Sequence, residues 1–296
     1  MRLEKRAVWR VCLALAVLGM GLCCGFFRQP AAPASAAFPG GEGVRLPVVM
    51  YHHLLKDPAR SNSYTITPDE FEKDLQTIAA LGMTPMTFEE VLGCLETGAT
   101  FPPRPIVLTF DDGYESNYVY AFPLLQKYGM KAVVSILGYY SDVFSQEELK
   151  SVAYSHITWT EIAEMRASGL VEFGNHTYLM HRDGPNSKST RQGVLRAHGE
   201  SEETYTRLIT MDIQKTQDAL SVHTGRTPLV FAYPFGFYSQ LSEKIIKDMG
   251  FRVTLTAEKG ENILRSPDDL FLLKRHIRPH GINSRAFFES LCKAES

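Results

Sequence analysis

The stretch Pro105–Gly113 reads PIVLTFDDG, an apolar run that ends in two adjacent carboxylates. A short apolar run bounded by a proline and followed by a glycine predicts a buried strand. Asp111 and Asp112 then lie where the strand ends, and carboxylates side by side at a buried position repel each other. A divalent cation is one group that would relieve this repulsion, so the stretch suggests a metal site at the end of a core strand.

A second set of candidate ligands follows another apolar run. His176 and His181 come shortly after Leu170–Phe173, which has the pattern of a buried strand. One carboxylate and two imidazoles are the ligands of a catalytic zinc or related site in which one position is left for water. The remaining carboxylate would then lie beside the metal as a base. This combination is typical of a hydrolase.

Strands and helices alternate through the rest of the chain. The predicted strands are short apolar runs: Leu46–Tyr51, Pro105–Phe110, Lys131–Leu137, Leu170–Phe173, Leu229–Tyr233, Arg252–Thr256 and Leu270–Lys274. The predicted helices begin at Ser or Thr residues, and most end at a glycine: Thr67–Gly82, Thr87–Gly98, Ser116–Gly129, Thr160–Gly169, Ser201–Val222 and Ser239–Met249. Repeated strand–helix units imply an α/β fold with a parallel sheet, and so many units indicate a closed or distorted barrel.

The chemically interesting residues share one position in this pattern. His52, Asp111, His176 and the pair Tyr233-Pro234 all fall just after predicted strands. In barrels of this kind the chemistry lies at the carboxyl ends of the strands. The sequence therefore places these residues at the same end of the barrel.

Residues 1–37 have the pattern of an export segment. A basic stretch, Arg2 to Arg10, precedes Val11–Phe27, which contains no charged residue. Ala34-Ser35-Ala36 resembles a signal-peptidase site, but the apolar run is also long enough for an uncleaved anchor. Either reading puts the rest of the chain outside the cytoplasmic membrane. We expect a signal peptide or signal anchor over residues 1–37, a linker over 38–45 and one domain over 46–296.

The composition fits one large globular domain. The chain has 296 residues, of which 44% are hydrophobic and 22% charged, and its formal net charge is -2. This near balance gives no sign of a nucleic-acid partner, and we expect a monomer. Outside the N-terminal segment the only cysteines are Cys94 and Cys292. Their wide separation, without motif spacing, favours two buried thiols over a disulfide.

Three motifs in order resemble the polysaccharide deacetylases, the carbohydrate esterases that share a NodB-homology domain. They are Thr109–Gly113, the histidine pair after Asn175, and Tyr233–Gly236. The resemblance runs from about Leu46 to Ile282. It implies the NodB-homology fold, a distorted (β/α) barrel of about seven parallel strands. It also implies one divalent metal ion, zinc in the first place, with Co2+ or Ni2+ as alternatives.

The resemblance also implies a role for each matching residue. Asp111 would be the general base. Three residues would bind the metal: Asp112, His176 and His181. Four residues would stabilise the oxyanion or line the substrate groove: Phe235 through its backbone N–H, Tyr233, Pro234 and Tyr114.

Two departures from the family pattern look like one branch of the family. The commoner histidine pair is four residues apart, whereas His176 and His181 are five apart. On an ideal helix this spacing would splay them by roughly 140°, so we expect a loop that turns back. The family's catalytic histidine near the C-terminus is missing after Leu270, but Val49–His53 resembles the sequence element that carries this histidine. Both features resemble the branch with poly-β-1,6-N-acetylglucosamine deacetylases, in which the element lies near the N-terminus, so His52 would be the general acid.

A third departure leaves the environment of Asp111 open. The arginine that opens the family's usual Arg-x-Pro-x-Gly motif is replaced by Ala232 or Tyr233, depending on the alignment. Arg275 is one candidate for its place. Three of the other histidines stay ambiguous: His53, which either supports the site or only packs, His276 and His280.

The expected function is metal-dependent hydrolysis of N-acetyl groups from an extracellular polysaccharide that contains N-acetylglucosamine. Asp111 as base and His52 as acid would act on a metal-bound water. An O-acetyl esterase, a catalytically weak carbohydrate-binding descendant and a two-carboxylate glycoside hydrolase stay open as alternatives. Peptidoglycan, poly-N-acetylglucosamine, chitin oligomers and acetylated xylan all stay open as substrates. The polar segment 182–200 is expected to border the groove.

Overall fold

Parallel strands with helices packed around them form the main sheet. The computed structural model describes residues 43–182 and 191–292. Its strands are β1 (Val44–Arg45), β2 (Val48–Tyr51), β3 (His53–Leu54), β4 (Thr65–Ile66), β5 (Thr84–Pro85), β6 (Pro105–Phe110), β7 (Ala132–Ile136), β8 (Val171–Asn175), β9 (Val230–Ala232), β10 (Val253–Leu255), β11 (Ile263–Leu264) and β12 (His276–Ile277). Its α-helices are α1 (Pro68–Ala80), α2 (Phe88–Thr97), α3 (Phe122–Tyr128), α4 (Gly138–Phe144), α5 (Trp159–Ala167), α6 (Glu202–Thr224), α7 (Gln240–Asp248) and α8 (Ser284–Cys292).

The order of the strands confirms the predicted α/β barrel. Seven parallel strands follow one another as β10-β9-β8-β7-β6-β2-β12, and β5 adds a short parallel pairing to β6. Two small pairings lie outside this sheet: β1 with β11, and β3 with β4. The carboxyl ends of the seven strands therefore point to one end of the barrel, as in other parallel barrels.

Reciprocal caps between a threonine and a glutamate fix the starts of three helices. A threonine accepts from the backbone N–H three residues on, and the glutamate at that position accepts from the threonine's own N–H, in three pairs: Thr67–Glu70, Thr87–Glu90 and Thr158–Glu161. Because Thr158 is the N-cap, α5 begins at Trp159 and not at the predicted Thr160. The helices α4 and α8 were not predicted from the sequence, and α4 begins without a side-chain cap.

The alternation of side chains along β2 and β6 places two of the predicted site residues at the mouth of the barrel. Val48 of β2 and Val107 of β6 belong to one core cluster, on the face away from α1, α3 and α5. Because strand side chains alternate with a period of two, the residues four positions later lie on the same face. Those residues are His52 and Asp111.

The predicted strand Leu270–Lys274 is wrong, and the reason is the way in which the barrel closes. Leu273 makes a single parallel bridge to Leu255 of β10, and its N–H lies 2.8 Å from the Thr254 oxygen. Within three residues the chain has crossed to the other edge of the sheet, where β12 pairs with β2. Leu273 therefore pairs with one edge strand, β10, and β12 pairs with the strand at the other edge, β2. The segment Leu270–Lys274 pairs with neither over enough residues to form a continuous strand. This crossing is the distortion of the barrel.

Other expectations concern the ends and loops of the chain. The pairing of β1 with β11 shows that the last residues of the predicted linker 38–45 belong to the fold. The predicted export segment 1–37 lies outside the described residues, as does 183–190 within the polar segment. No helix in the described ranges has both the length and the apolar character needed to cross a bilayer. Cys94 and Cys292 carry free thiols, but neither is buried as predicted: Cys94 is partly exposed and Cys292 is exposed.

Candidate active site

A cavity of about 820 Å³ opens at the carboxyl ends of the strands. It is lined by residues from both ends of the chain, including His52, Asp111, Asp112, His176, His181 and Phe235. These residues follow β2, β6, β8 and β9, so the parallel sheet brings them together although they are far apart in sequence. The expectation that they share one end of the barrel is met.

Three side chains converge as metal ligands would. The Nε2 atoms of His176 and His181 each lie 3.5 Å from the Oδ1 atom of Asp112. All three candidate ligand atoms lie within 4.8 Å of one another. Asp112 Oδ1 is buried and accepts no hydrogen bond from any residue that the structure describes. A buried carboxylate oxygen in this state is costly, and a cation between the three atoms would satisfy it.

The turn that holds the two carboxylates depends on its backbone. Asp112 has a φ of 71°, in the left-handed region that Asp tolerates better than most residues. Gly113 follows at 67°, and a Cβ atom there would come within 2.9 Å of the Ile136 side chain. The glycine is therefore required both by its dihedral angles and by the close approach of β7.

A backbone contact fixes the state of His176. Its Nδ1 atom lies 2.7 Å from the carbonyl oxygen of Ala232, which can only accept. Nδ1 must therefore carry the proton, which leaves the lone pair of Nε2 directed at Asp112. Burial lowers the pKa of His176 to about 4, so the imidazole is neutral at neutral pH, as a ligand must be.

The two histidines sit on a loop that turns back, as their spacing predicted. β8 ends at Asn175, and Thr177 has a φ of 78°, which reverses the chain direction. The rings of His176 and His181 come to 4.9 Å between centroids, tilted by 50°. The ring of His181 also packs against Phe235, at 4.2 Å.

Arg275 takes the place beside Asp111 that the sequence analysis left open. Its guanidinium donates to both carboxylate oxygens of Asp111, at 2.8 and 2.7 Å, and its Nε donates to the Thr256 carbonyl. Burial by itself would raise the pKa of Asp111. The Arg275 charge and, to a smaller extent, His176 outweigh that effect and hold the pKa of this carboxyl well below its usual range. Asp111 is therefore ionised at neutral pH.

Replacing Arg275 is expected to be costly for stability. Arg275→Met would leave Asp111 buried without a partner, and losing one member of a buried ion pair costs about 3–5 kcal/mol. Urea unfolding at pH 7 measures the loss. Arg252→Met is the control, because the ion pair of Arg252 with Glu96 is 42% and 44% exposed and such pairs contribute at most about 1 kcal/mol. Equal losses in the two variants would contradict the assignment.

The two adjacent histidines after β2 differ in their surroundings. His52 lines the cavity, its ring meets Tyr64 edge-on at 5.0 Å, and its buried Nδ1 has no hydrogen-bond partner within the described ranges. Burial lowers its pKa, against the opposing effect of the Asp111 and Asp112 carboxylates. His53 instead contacts Ser116 Oγ through Nδ1 at 2.8 Å, and its ring stacks on Tyr114 at 4.3 Å. His53 lines the cavity as well, but both of its ring nitrogens already have partners, because Nε2 lies 3.4 Å from the carbonyl oxygen of Ala153.

Three of the four predicted groove residues line the cavity, and Pro234 does not. Tyr114 and Phe235 line it, and Phe235 has a φ of 59°, a strained value for an aromatic residue. Tyr233 borders the cavity, but its buried hydroxyl donates to Glu243 and is not available to a sugar. The prediction for Pro234 needs correction. It is buried, and it is not among the described residues that line the cavity, because the turn directs it inward.

Several lining residues were not found from the sequence. Tyr64 lies beside His52 with 58% of its surface exposed, and Lys259 and His276 line the cavity from the segments after β10 and in β12. None of them belongs to a motif or continues an apolar pattern. Only the fold brings them to this end of the barrel.

Comparison with known proteins identifies the family. Residues 98–254 match the sequence profile of the family described as polysaccharide deacetylase. The chain belongs to the polysaccharide deacetylase family. The match covers β6 to β9 with both aspartates and both histidines of the candidate metal site.

Named relatives are similar over part of their length. The poly-beta-1,6-N-acetyl-D-glucosamine N-deacetylase of Escherichia coli (strain K12) is 24% identical over 227 residues, which are 72% of this chain and 34% of that protein. The protein of the same name from Staphylococcus aureus (strain MRSA252) is 27% identical over 197 residues, 67% of this chain and 62% of that protein. The chain thus spans about a third to two thirds of the curated relatives it matches.

Solved structures share the fold. IcaB from Ammonifex degensii matches with a TM-score of 0.65 and 28% identity, over 80% of this chain and 94% of that chain. A de-N-acetylase from Aggregatibacter actinomycetemcomitans matches with a TM-score of 0.69 and 20% identity, over 84% of this chain and 100% of that chain. The second likeness concerns the fold alone.

Proposed function

We propose that this chain is a metal-dependent deacetylase that removes N-acetyl groups from a polysaccharide of the poly-N-acetylglucosamine type. One observation carries the proposal. Asp112, His176 and His181 converge in a cavity that also holds Asp111, paired with Arg275, and His52. The chemistry named for the relatives from Escherichia coli and Staphylococcus aureus supports the N-acetyl substrate.

The donor set fits a divalent ion. It consists of a carboxylate oxygen without a hydrogen bond and two imidazole nitrogens, of which His176 Nε2 carries a lone pair. Zinc prefers such ligands, and cobalt and nickel accept them. When bound, a divalent ion supplies Lewis acidity, which polarises an amide carbonyl and lowers the pKa of water.

Asp111 is proposed as the general base. Both of its carboxylate oxygens accept from Arg275, and each retains a second lone pair for a proton. The ion pair keeps Asp111 ionised and fixes its plane. It also makes the carboxylate a weaker base, so its contribution is to hold the attacking water in position and to take its proton as the new bond forms.

His52 is proposed as the acid that protonates the leaving nitrogen. It lines the same cavity as Asp111, and its carbonyl accepts from Asn117 Nδ2 at 2.8 Å, which fixes the backbone at this point. An amine leaves poorly without a proton, so an imidazole beside it would lower the barrier. The backbone N–H of Phe235 is proposed to stabilise the oxyanion, and Tyr114 to contact the sugar.

His52→Ala is expected to slow hydrolysis of an N-acetyl substrate by about two orders of magnitude, with metal content unchanged. An activated ester such as p-nitrophenyl acetate should lose less than about tenfold, because its leaving group needs no proton. An acid works only while protonated, so its contribution falls as pH rises through its pKa, which burial lowers from 6.5. The variant should therefore lose the alkaline limb of the pH–rate profile. Equal losses on the two substrates, measured against His198→Ala, would rule out the acid role.

A panel of glycans tests the proposed function. Purified protein would be incubated with poly-β-1,6-N-acetylglucosamine, peptidoglycan, chitin oligomers and acetylated xylan, and acetate, free amines and new reducing ends would be measured. We expect acetate and amines in equal amounts from poly-N-acetylglucosamine. Acetate from xylan alone would indicate an O-acetyl esterase, and new reducing ends would indicate a glycoside hydrolase.

We also propose that the domain acts outside the cytoplasmic membrane, as a monomer and with the polysaccharide as its partner. The support is the basic and then apolar pattern of residues 1–37. Protease accessibility on intact cells would test the location. A domain that is protected until the cells are lysed would contradict it.

A further inference from the structure

The loop that carries the two histidines of the candidate metal site needs support from outside. Residues 176–181 form neither a helix nor a strand that would fix them by a regular hydrogen-bond ladder. A ligand that moves by about an ångström weakens a metal site, so the position of His181 relative to Asp112 has to be set by other contacts.

One carboxylate from α6 holds the middle of this loop. Asp212 accepts the backbone N–H of Tyr178 on Oδ1 at 2.8 Å and the backbone N–H of Leu179 on Oδ2 at 2.9 Å. Both distances are typical of charge-assisted hydrogen bonds, and two parallel bonds to one planar group fix orientation as well as distance. The bonded peptides lie between His176 and His181 in the chain.

Helix α6 itself is tied to the strand that carries His176. Asn175 at the end of β8 donates through Nδ2 to the carbonyl of Ile213, the residue after Asp212, at 3.0 Å. The Oδ1 atom of Asn175 accepts from the N–H of Thr177 at 2.8 Å. The carboxylate of Asp212 is therefore held in register with the start of the loop while it binds the loop's middle.

We propose that Asp212 is a positioning residue of the metal site, which fixes residues 176–181 so that both imidazoles face Asp112. Asp212 is neither one of the three candidate ligands nor among the described residues that line the cavity, and it acts through two backbone N–H groups. The inference rests on the proposed metal site. The positioning role of Asp212 explains how two histidines five residues apart, which would not share one face of a helix, can both act as ligands in the proposed site.

The test is the zinc affinity of the full chain, measured by competition with a chromophoric chelator. Asp212→Asn replaces one accepting oxygen by an amide group that cannot accept, and we expect zinc affinity to fall 10- to 100-fold, the usual effect of losing such support. The visible spectrum of the cobalt-loaded variant should also change in position or intensity. Asp218→Asn is the matched control, because Asp218 is exposed on the same helix and, in the described part of the chain, accepts a hydrogen bond only from Gln214. The zinc affinity of this variant should stay within about threefold of wild type.

Two further measurements distinguish three outcomes: a variant that does not fold, a wrong role for Asp212 and a wrong metal site. Thermal unfolding of the metal-free proteins shows whether Asp212→Asn is folded. If it is not, Asp212→Glu keeps the charge but displaces it by one methylene and should still weaken zinc binding. Unchanged affinity in a folded Asp212 variant would overturn the inference. If His176→Ala also keeps wild-type affinity, the proposed metal site itself has failed. If His176→Ala abolishes binding and the Asp212 variants do not, only the role of Asp212 is wrong.

Discussion

Asp111→Asn is expected to lower the rate of deacetylation by at least about two orders of magnitude while the metal stays bound. Asp111 is the carboxylate held by Arg275, and the candidate ligand atom belongs to its neighbour, Asp112. The amide keeps the size of the side chain but cannot take a proton from water. Initial rates of acetate release and elemental analysis on the same preparation measure the two effects.

The variant needs a check on its fold, because Arg275 is left beside a neutral partner. Its unfolding midpoint should fall, and rates are compared well below that midpoint. Asp248→Asn is the control, since Asp248 lies at the exposed end of α7 and, among the described residues, pairs only with Lys244. If Asp111→Asn lost the metal and Asp112→Asn kept it, the roles of the two aspartates would be reversed.

His176→Ala and His181→Ala are each expected to lose most of the bound metal after dialysis. In the proposed site each imidazole supplies one of three protein ligand atoms, and two ligands hold zinc far less tightly than three. Stoichiometry should fall from near one per chain to below about 0.1, as measured by elemental analysis. His198→Ala is the control, because His198 is exposed and outside the cavity.

The two histidine variants should differ in stability. His176 is 2% exposed and its removal leaves a cavity in the barrel mouth, whereas His181 is 24% exposed. We therefore expect a lower unfolding midpoint for His176→Ala than for His181→Ala in the metal-free state. Full metal retention in either variant would remove that histidine from the ligand set.

The sequence was most informative where the position of a site residue depends on a single strand. The run that ends in Asp111 forms a strand because its apolar side chains are buried on both faces of the sheet, and the alternation that starts at Val107 puts Asp111 inside. His52 likewise follows the predicted strand Leu46–Tyr51, although its role came from the family resemblance. These residues could be placed at the barrel mouth from local patterns alone.

Contacts between distant segments could not be predicted in this way. Arg275 lies 164 residues from Asp111, and it reaches that carboxylate because the chain crosses from β10 to β2 at this point. The apolar residues around Leu273 looked like a strand, and no local signal marks a crossing. Asp212 is likewise one of several polar residues on α6, and only the fold shows that it faces the histidine loop.

The measurement that tests the account most directly is acetate release from poly-β-1,6-N-acetylglucosamine by metal-stripped protein during titration with zinc. We expect no release above background after stripping, recovery that saturates near one zinc per chain, and no recovery in Asp112→Ala. Elemental analysis must confirm that stripping is complete. An unchanged rate in fully stripped protein, or full recovery in Asp112→Ala, would contradict a metal-dependent deacetylase with its ion at Asp112, His176 and His181.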